Sequence, residues 1–282
     1  MAKDINHVTT PVGEIAYVDR GDGPAALFVH GVFLNNHLWR HVIDQVADMR
    51  RCIAVDLLAH GATRTASDQN VDFTAQAEML EAVCASLKLD RVDLVANDSG
   101  GGISQIFAAR HPERIRTLTL TNSDTHDNWP PEPFRPLVQA AAQGQLGERG
   151  RRMVNDMAFA RTSFARAYEH PENVSDETLR TYLAPLYATP ESTRNLERFV
   201  AAQDCRHTVA IEPLLRRLEA PTAVVWGTDD IFFPVKWAYW LREAIPGCRE
   251  VVEVEGARLF FPEERPDALV GPMRELWSGT KS

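Results

Sequence analysis

The stretch VDLVANDSGGGISQIFAARHP (Val92–Pro112) holds the residues best placed to do chemistry. An apolar run stops, Asn97-Asp98-Ser99 turns, and Gly100-Gly101-Gly102 opens a helical pattern. A tight strand-to-helix turn strains the backbone of its central residue and crowds the positions two before and two after it, so those must be small. Ala96 and Gly100 meet that demand around Asp98, which puts Asp98 at the nucleophile position of the turn. Counted from Ser99, the small residue would have to be Asn97, and the apolar strand would end too late. A carboxylate held there can attack a carbon to form an ester, or act as a base on water. The competing reading is a glycine-rich turn in which the aspartate only caps the helix.

Such a turn needs a sheet beneath it. EIAYVD (Glu14–Asp19) alternates apolar and polar residues, as a half-buried antiparallel strand does, whereas AALFVHG (Ala25–Gly31) and RCIAVD (Arg51–Asp56) are continuous apolar runs suited to strands buried on both faces. Helical spacing lies between and after them: Leu38, Val42, Val46 and Met49, then Phe73, Ala77, Leu80, Val83 and Leu87. VDLVA and TLTLTN (Thr117–Asn122) complete an alternation that predicts βαβ units around a mostly parallel sheet. The rhythm stops at Asp124. Prolines crowd residues 130–136, and no strand pattern returns until Thr222; the segment between reads as helices. TAVVWG, VKWAYWLREAI, EVVEVEG and PDALVGPMRELW then resume the alternation. The expected organisation is an α/β core over 1–125 and 220–282, interrupted by a helical cap over 126–219.

Composition bounds the function. Of 282 residues, 44% are hydrophobic and 24% charged, which supports a sizeable core and excludes a disordered chain. Thirty Lys and Arg against 39 Asp and Glu leave a net charge of −9, without the basic footprint of a nucleic-acid binder. No apolar run approaches membrane-spanning length, and MAKDINHVTT lacks the apolar core of a signal peptide. Cys52, Cys84, Cys205 and Cys248 lie far apart with no CxxC pair, so reduced thiols are expected rather than a disulfide framework or a metal site. The expectation is a cytoplasmic protein with a small-molecule substrate, no cofactor, no metal, no nucleic acid and no membrane partner; a homodimer stays open.

The motifs in order resemble the α/β-hydrolase fold superfamily, closest in pattern to haloalkane dehalogenases and epoxide hydrolases. HGVFLNNHLWR (His30–Arg40) resembles the oxyanion loop and the helix after it, and DLLAHGAT (Asp56–Thr63) the D-x-x-G-H-G-x-S turn. WGTDDIFFP (Trp226–Pro234) resembles the loop of the catalytic acid, and PEERPDAL (Pro262–Leu269) the segment after the catalytic histidine. The resemblance covers nearly all of the chain except the cap interior. It implies an α/β-hydrolase fold, a mostly parallel sheet flanked by helices with an inserted cap. It also implies an oxyanion hole from the backbone N–H groups of Val32 and Ser99, and Asp230 as the acid. His30 and His60 fall in turn motifs and read as structural. Haloalkane dehalogenases usually place halide-binding Asn or Trp side chains at the positions of Val32 and Ser99, and Phe33 stands where epoxide hydrolases usually have proline. An alternative acid position falls on Asn122, which carries no charge.

The resemblance also exposes a gap. Where the family carries its histidine, this chain reads Ala257-Arg258-Leu259-Phe260, and Leu259 takes the histidine position. An alkyl ester on aspartate is cleared by water that an imidazole activates. Without one, the first half-reaction proceeds and the second stalls unless another group serves. His126, between Asp124 and Asp127 where the cap begins, is the first candidate for a relocated base; His207 and His37 follow. In the cap, Tyr182 and Tyr187 are candidate hydrogen-bond donors to an epoxide oxygen, with packing as the competing reading. Trp129 is a candidate pocket-mouth contact, and Phe33 and Leu259 are pocket candidates.

The leading reading is a cofactor-independent hydrolase of a small apolar substrate (epoxide, haloalkane or ester-like). The alternative is a non-hydrolytic or catalytically degenerate member of the fold: a lyase, an isomerase or a ligand-binding protein. A serine esterase comes third, since Asp98 occupies the nucleophile position.

Overall fold

The computed structural model describes residues 5–280. Eight strands form one sheet: β1 (Asn6–Thr10), β2 (Gly13–Arg20), β3 (Ala25–Val29), β4 (Arg51–Val55), β5 (Val92–Asp98), β6 (Ile115–Ser123), β7 (Thr222–Gly227) and β8 (Cys248–Val254). Their order is β1-β2-β4-β3-β5-β6-β7-β8. β1 and β2 are antiparallel to each other, and β2 to β4; all later neighbours are parallel. The continuous apolar runs have the burial they imply: every residue of β3 and β5 is buried. β1 carries no apolar period. NHVTT is mostly exposed at the sheet edge, held by its ladder to β2 rather than by side-chain burial.

Core helices α1 (Arg40–Val46), α2 (Phe73–Ser86) and α3 (Ser99–Arg110) pack on this sheet. Asp72 caps α2 through the Ala75 N–H. Between β6 and β7 the chain is helical: α4 (Arg135–Ala142), α5 (Leu146–Asn155), α6 (Met157–Phe164), α7 (Asp176–Leu186), α8 (Pro190–Ala201), α9 (Arg206–Ala210) and α10 (Glu212–Leu215). ERGRRMVNDMAF reads as one helix in sequence, but Asp156 ends α5 with extended backbone and caps α6 by accepting from Phe159 N–H, so one amphipathic run becomes two helices. α11 (Lys236–Ala244), α12 (Phe261–Glu264) and α13 (Pro266–Ser278) complete the chain. No helix among the described residues is long and apolar enough to cross a membrane.

Two features fix where a ligand can sit. β3 lies between β4, which follows it, and β5, which comes after β4, so the chain leaves the sheet in opposite directions after β3 and β5. In parallel α/β sheets the crevice at such a reversal, beyond the C-terminal strand ends, is the binding site. The cap is fastened over that edge by Glu263. Its carboxylate accepts from Arg40 of α1 at 2.5 Å, from Tyr168 at 2.5 Å and from Tyr182 of α7 at 3.0 Å.

Candidate active site

Asp98 ends β5 with φ 56° and ψ −132°, a left-handed backbone that a β-carbon disfavours. Close packing compels it. A β-carbon on Gly100 would lie 2.4 Å from the His30 carbonyl oxygen, and one on Gly31 would lie 2.1 Å from Asp98 Oδ2, so the oxyanion loop and the turn approach only as glycines. The turn therefore presents the Asp98 side chain to the Val32 N–H, 3.0 Å from Oδ2, and to the Ser99 N–H. These are the two backbone donors expected from sequence.

A cavity of about 470 Å³ opens above them, lined by Asp98, Val32, Ser99, Phe33, Leu259 and Tyr187 among others. Its outer wall includes two exposed arginines, Arg149 and Arg166. The backbone around Leu259 is pinned to the sheet, because Asn97 Nδ2 donates to the Leu259 carbonyl at 2.9 Å. Leu259 thus has a fixed backbone and lines the cavity with an apolar side chain. Asp230 is buried outside the cavity lining. Asn122 Nδ2 donates to Asp230 Oδ2 at 2.9 Å, and the Phe232 N–H to Oδ1 at 2.8 Å. Asn122, passed over as an acid because it has no charge, serves as a donor to Asp230.

Of the remaining sequence candidates only Tyr187 reaches the cavity that holds Asp98. His126 Nε2 lies 2.9 Å from Glu212 Oε2, its ring lies tilted against that of Trp240 with centroids 4.6 Å apart, and it does not line the cavity. The chain turns outward at this residue, so the stretch that opens the pocket carries the imidazole away from it. His207 Nδ1 meets Thr74 Oγ1 at 3.1 Å, and the His37 ring lies 5.8 Å from that of Tyr182; neither lines the cavity. The Tyr182 hydroxyl is committed to Glu263, which removes it as a substrate donor, whereas Tyr187 does line the cavity. Trp129 is buried, stacked 3.6 Å from Phe73, and is core rather than mouth. His30 and His60 are structural: His30 Nε2 accepts from Leu57 N–H at 3.0 Å, and burial holds both rings well below the usual imidazole range.

Two lining residues carry chemistry that the sequence reading passed over. In the β5–β6 ladder Asp98 stands opposite Ser123, so Asp124 emerges beside it and lines the same cavity. Asp124 is 1% exposed, and its Oδ1 has no hydrogen-bond partner. Gln203, 5% exposed, accepts from Trp129 Nε1 through Oε1, which leaves Nε2 without a partner. The usable signal was the strand end: Asp124 sits one residue past β6, at the sheet edge where α/β sites form.

Asp98 thus faces two further buried carboxyls, Asp124 and Asp230, and the one cation that acts on them, Arg258, reaches Asp230. Burial first, then the Asp230 charge, pushes Asp98 up to about 8, against the pull of the Val32 and Ser99 N–H groups. Burial and then the Asp98 charge push Asp124 well above the ordinary carboxylate range, while the Ser99 hydroxyl that bonds it works the other way. Burial lifts Asp230 to about 7 despite its hydrogen bonds.

Residues 24–265 match the family model described as alpha/beta hydrolase fold. Among curated proteins the chain is similar to haloalkane dehalogenase 2 of Mycobacterium bovis, 26% identical over 272 residues, 93% of this chain and 91% of that one. It is also similar to the cis-3-alkyl-4-alkyloxetan-2-one decarboxylase of Shewanella oneidensis, 24% identical over 285 residues, 95% of this chain and 86% of that one. Among solved structures, an alpha/beta hydrolase fold protein from Burkholderia ambifaria superposes with a TM-score of 0.83 at 24% identity, over 96% of this chain and 97% of that one. The family match runs over most of the chain, from the third strand to the start of the last helix, and on that ground the chain belongs to the α/β hydrolase fold family.

Proposed function

We propose that the protein is a cofactor-independent hydrolase of a small, mostly apolar substrate (an epoxide, haloalkane or ester-like compound), with Asp98 as the nucleophile. One observation carries this reading: Asp98 sits at the strained elbow, beneath the cavity, with its Oδ2 on the Val32 N–H. On this reading the two oxygens have separate roles. Oδ1 attacks the substrate carbon, and Oδ2 stays in the hole. When water adds to the resulting ester, negative charge develops on Oδ2, where backbone donors already wait; removing one such donor typically costs ~10²–10³ in rate. The names of the relatives, a dehalogenase and a decarboxylase of a strained lactone, support substrates in which an oxygen or halogen leaves a saturated carbon.

Isotope placement tests the reading. With enzyme in excess and a single turnover in ¹⁸O-water, the label enters the Asp98 carboxylate and the first product carries unlabelled oxygen. Label appearing directly in that product would make Asp98 a base on water instead. Asp98→Asn abolishes turnover in either case.

A non-hydrolytic reading is favoured by one specific observation. Leu259 faces the cavity where an imidazole would clear the ester, and one relative is named for a decarboxylation. Product formation without incorporation of any solvent oxygen is the outcome that selects it.

A further inference from the structure

Asp124 Oδ1 is a deeply buried oxygen without a partner, on the wall of the cavity that holds Asp98. An ionised carboxylate left so is costly, whereas a protonated one can point its O–H into the cavity. Gln203 supplies the complementary group. The indole N–H of Trp129 can only donate, so it fixes Gln203 Oε1 and leaves Nε2 as an unused donor in a residue lining the same cavity. Contacts link the two sites: a β-carbon on Gly102 would lie 2.9 Å from both Asp124 Cβ and Phe73 Cε2, and Phe73 stacks on the Trp129 that holds Gln203. Asp124 itself is fixed, its carbonyl accepting from Gln105 Nε2 at 2.8 Å.

We infer that Asp98 and Asp124 form a carboxyl pair whose reactive form holds one proton, on Asp124 with Asp98 ionised, in which Asp124 is acid in the first half-reaction and base in the second, and that the substrate is an epoxide. The inference rests on Asp98 as nucleophile. In the first step Asp98 Oδ1 attacks an epoxide carbon, the ring C–O bond breaks, and the ring oxygen takes the Asp124 proton. The products are a neutral hydroxyalkyl ester and an Asp124 carboxylate. Esterification has removed the charge that opposed ionisation of Asp124, so the base appears when it is needed. A water held between Asp124 and Gln203 Nε2 then gives its proton to Asp124 while its oxygen bonds to the Asp98 carbonyl carbon. The oxyanion on Oδ2 collapses, the ester C–O bond breaks, and the departing alkoxide recovers the proton from Asp124. Asp98, now a carboxylic acid, returns one proton to Asp124. Epoxide and water have become a diol, and the pair is as it began. A haloalkane fits this cycle poorly: halide leaves without a proton, and each turnover would strand one on the pair. Tyr182, the cap hydroxyl otherwise suited to protonating the ring oxygen, is held by Glu263.

The test uses the full chain with two probes, styrene oxide, whose leaving oxygen needs a proton, and 1-bromobutane, whose bromide does not. Wild type turns styrene oxide over repeatedly. In Asp124→Asn that turnover falls by ~10²–10⁴, the range for loss of an acid–base group. 1-Bromobutane still labels Asp98 in this variant, and the butyl ester persists by intact mass, which also shows that the site is folded. Asp124→Ala, carrying neither proton nor charge, behaves in the same way. Adding Leu259→His to Asp124→Asn clears the butyl ester but does not restore ring opening. Styrene oxide turnover in Asp124→Asn within about threefold of wild type overturns the inference. Loss of labelling together with turnover in both folded Asp124 variants does so too. A wild type that turns over epoxide with unaffected Asp98→Asn activity instead overturns the nucleophile itself.

Discussion

Replacing Asp98 with asparagine should stabilise the protein, and by an amount that depends on pH. In the folded state the Asp98 carboxyl is raised from an ordinary value near 3.8 to about 8, mainly by burial. The fold therefore keeps a proton that the unfolded chain releases. The associated stability is fully present below about pH 4 and is lost as pH rises through about 8. Asparagine does not titrate. The stability of Asp98→Asn minus that of wild type should be flat in acid, climb between those limits and level off above them. At ~1.4 kcal/mol per tenfold change in proton affinity, the full interval sets a ceiling on the order of 6 kcal/mol. Asp230 contributes part of the upward push, and Asp124 shares the field, so roughly half that ceiling, ~3 kcal/mol, is the expected gain at about pH 8.5. For a chain of this size that is ~6–9 °C in melting temperature. Urea unfolding of both proteins at about pH 5 and about pH 8.5 measures it, and taking the difference cancels other titrations distant from Asp98. A difference equal at the two pH values would refute the reasoning, because Asp98 would then ionise as an ordinary exposed carboxylate.

Three further outcomes follow from named contacts. Leu259→His in the wild-type background should speed clearance of an alkyl ester at least about tenfold, with Asp230 orienting the ring; an unchanged rate by quench-flow mass analysis would mean that Asp230 cannot reach it. His126→Ala should leave turnover within about twofold and cost ~1 kcal/mol or less, since its partner Glu212 lies on the surface side; a large loss of turnover would return His126 to the mechanism. Glu263→Leu should destabilise by about 3 kcal/mol in urea, leaving buried Tyr168 and Tyr182 hydroxyls and the Arg40 guanidinium without their acceptor; a loss below about 1 kcal/mol would show that the cap is fastened elsewhere.

The sheet was legible where apolar runs were long or strictly alternating, as in β3, β5 and β2, because burial on both faces or on one leaves a direct pattern. β1 was not, since an edge strand with mostly exposed side chains is specified by pairing rather than by composition. Asp98 was legible because backbone crowding constrains the residue types around it, and Val32 and Ser99 because they follow fixed turns. Side-chain direction was not. His126 and Asp124 are two residues apart in one loop, yet one faces Glu212 and Trp240 while the other faces the cavity. Spacing cannot distinguish them, because outside a helix or strand no period relates position to facing. Gln203 was invisible for a different reason: its free amide is defined by a partner 74 residues away.

Leu259 on the cavity wall has a physical consequence of its own. An imidazole at position 259 would bring a group able to carry positive charge into the cavity that holds Asp98, whereas Arg258 acts on Asp230, and would favour the ionised carboxylate there. With leucine there, like charges buried together must lower their number instead, and the way open to carboxyls is to retain protons. The same substitution that removes the expected base thus leaves a proton in the site and a second carboxyl, Asp124, on which it can reside. Acid–base capacity is then carried by a neutral acid rather than by a ring. A site of that kind prefers a leaving group that must be protonated, which is the chemical distinction between a strained ring oxygen and a halide.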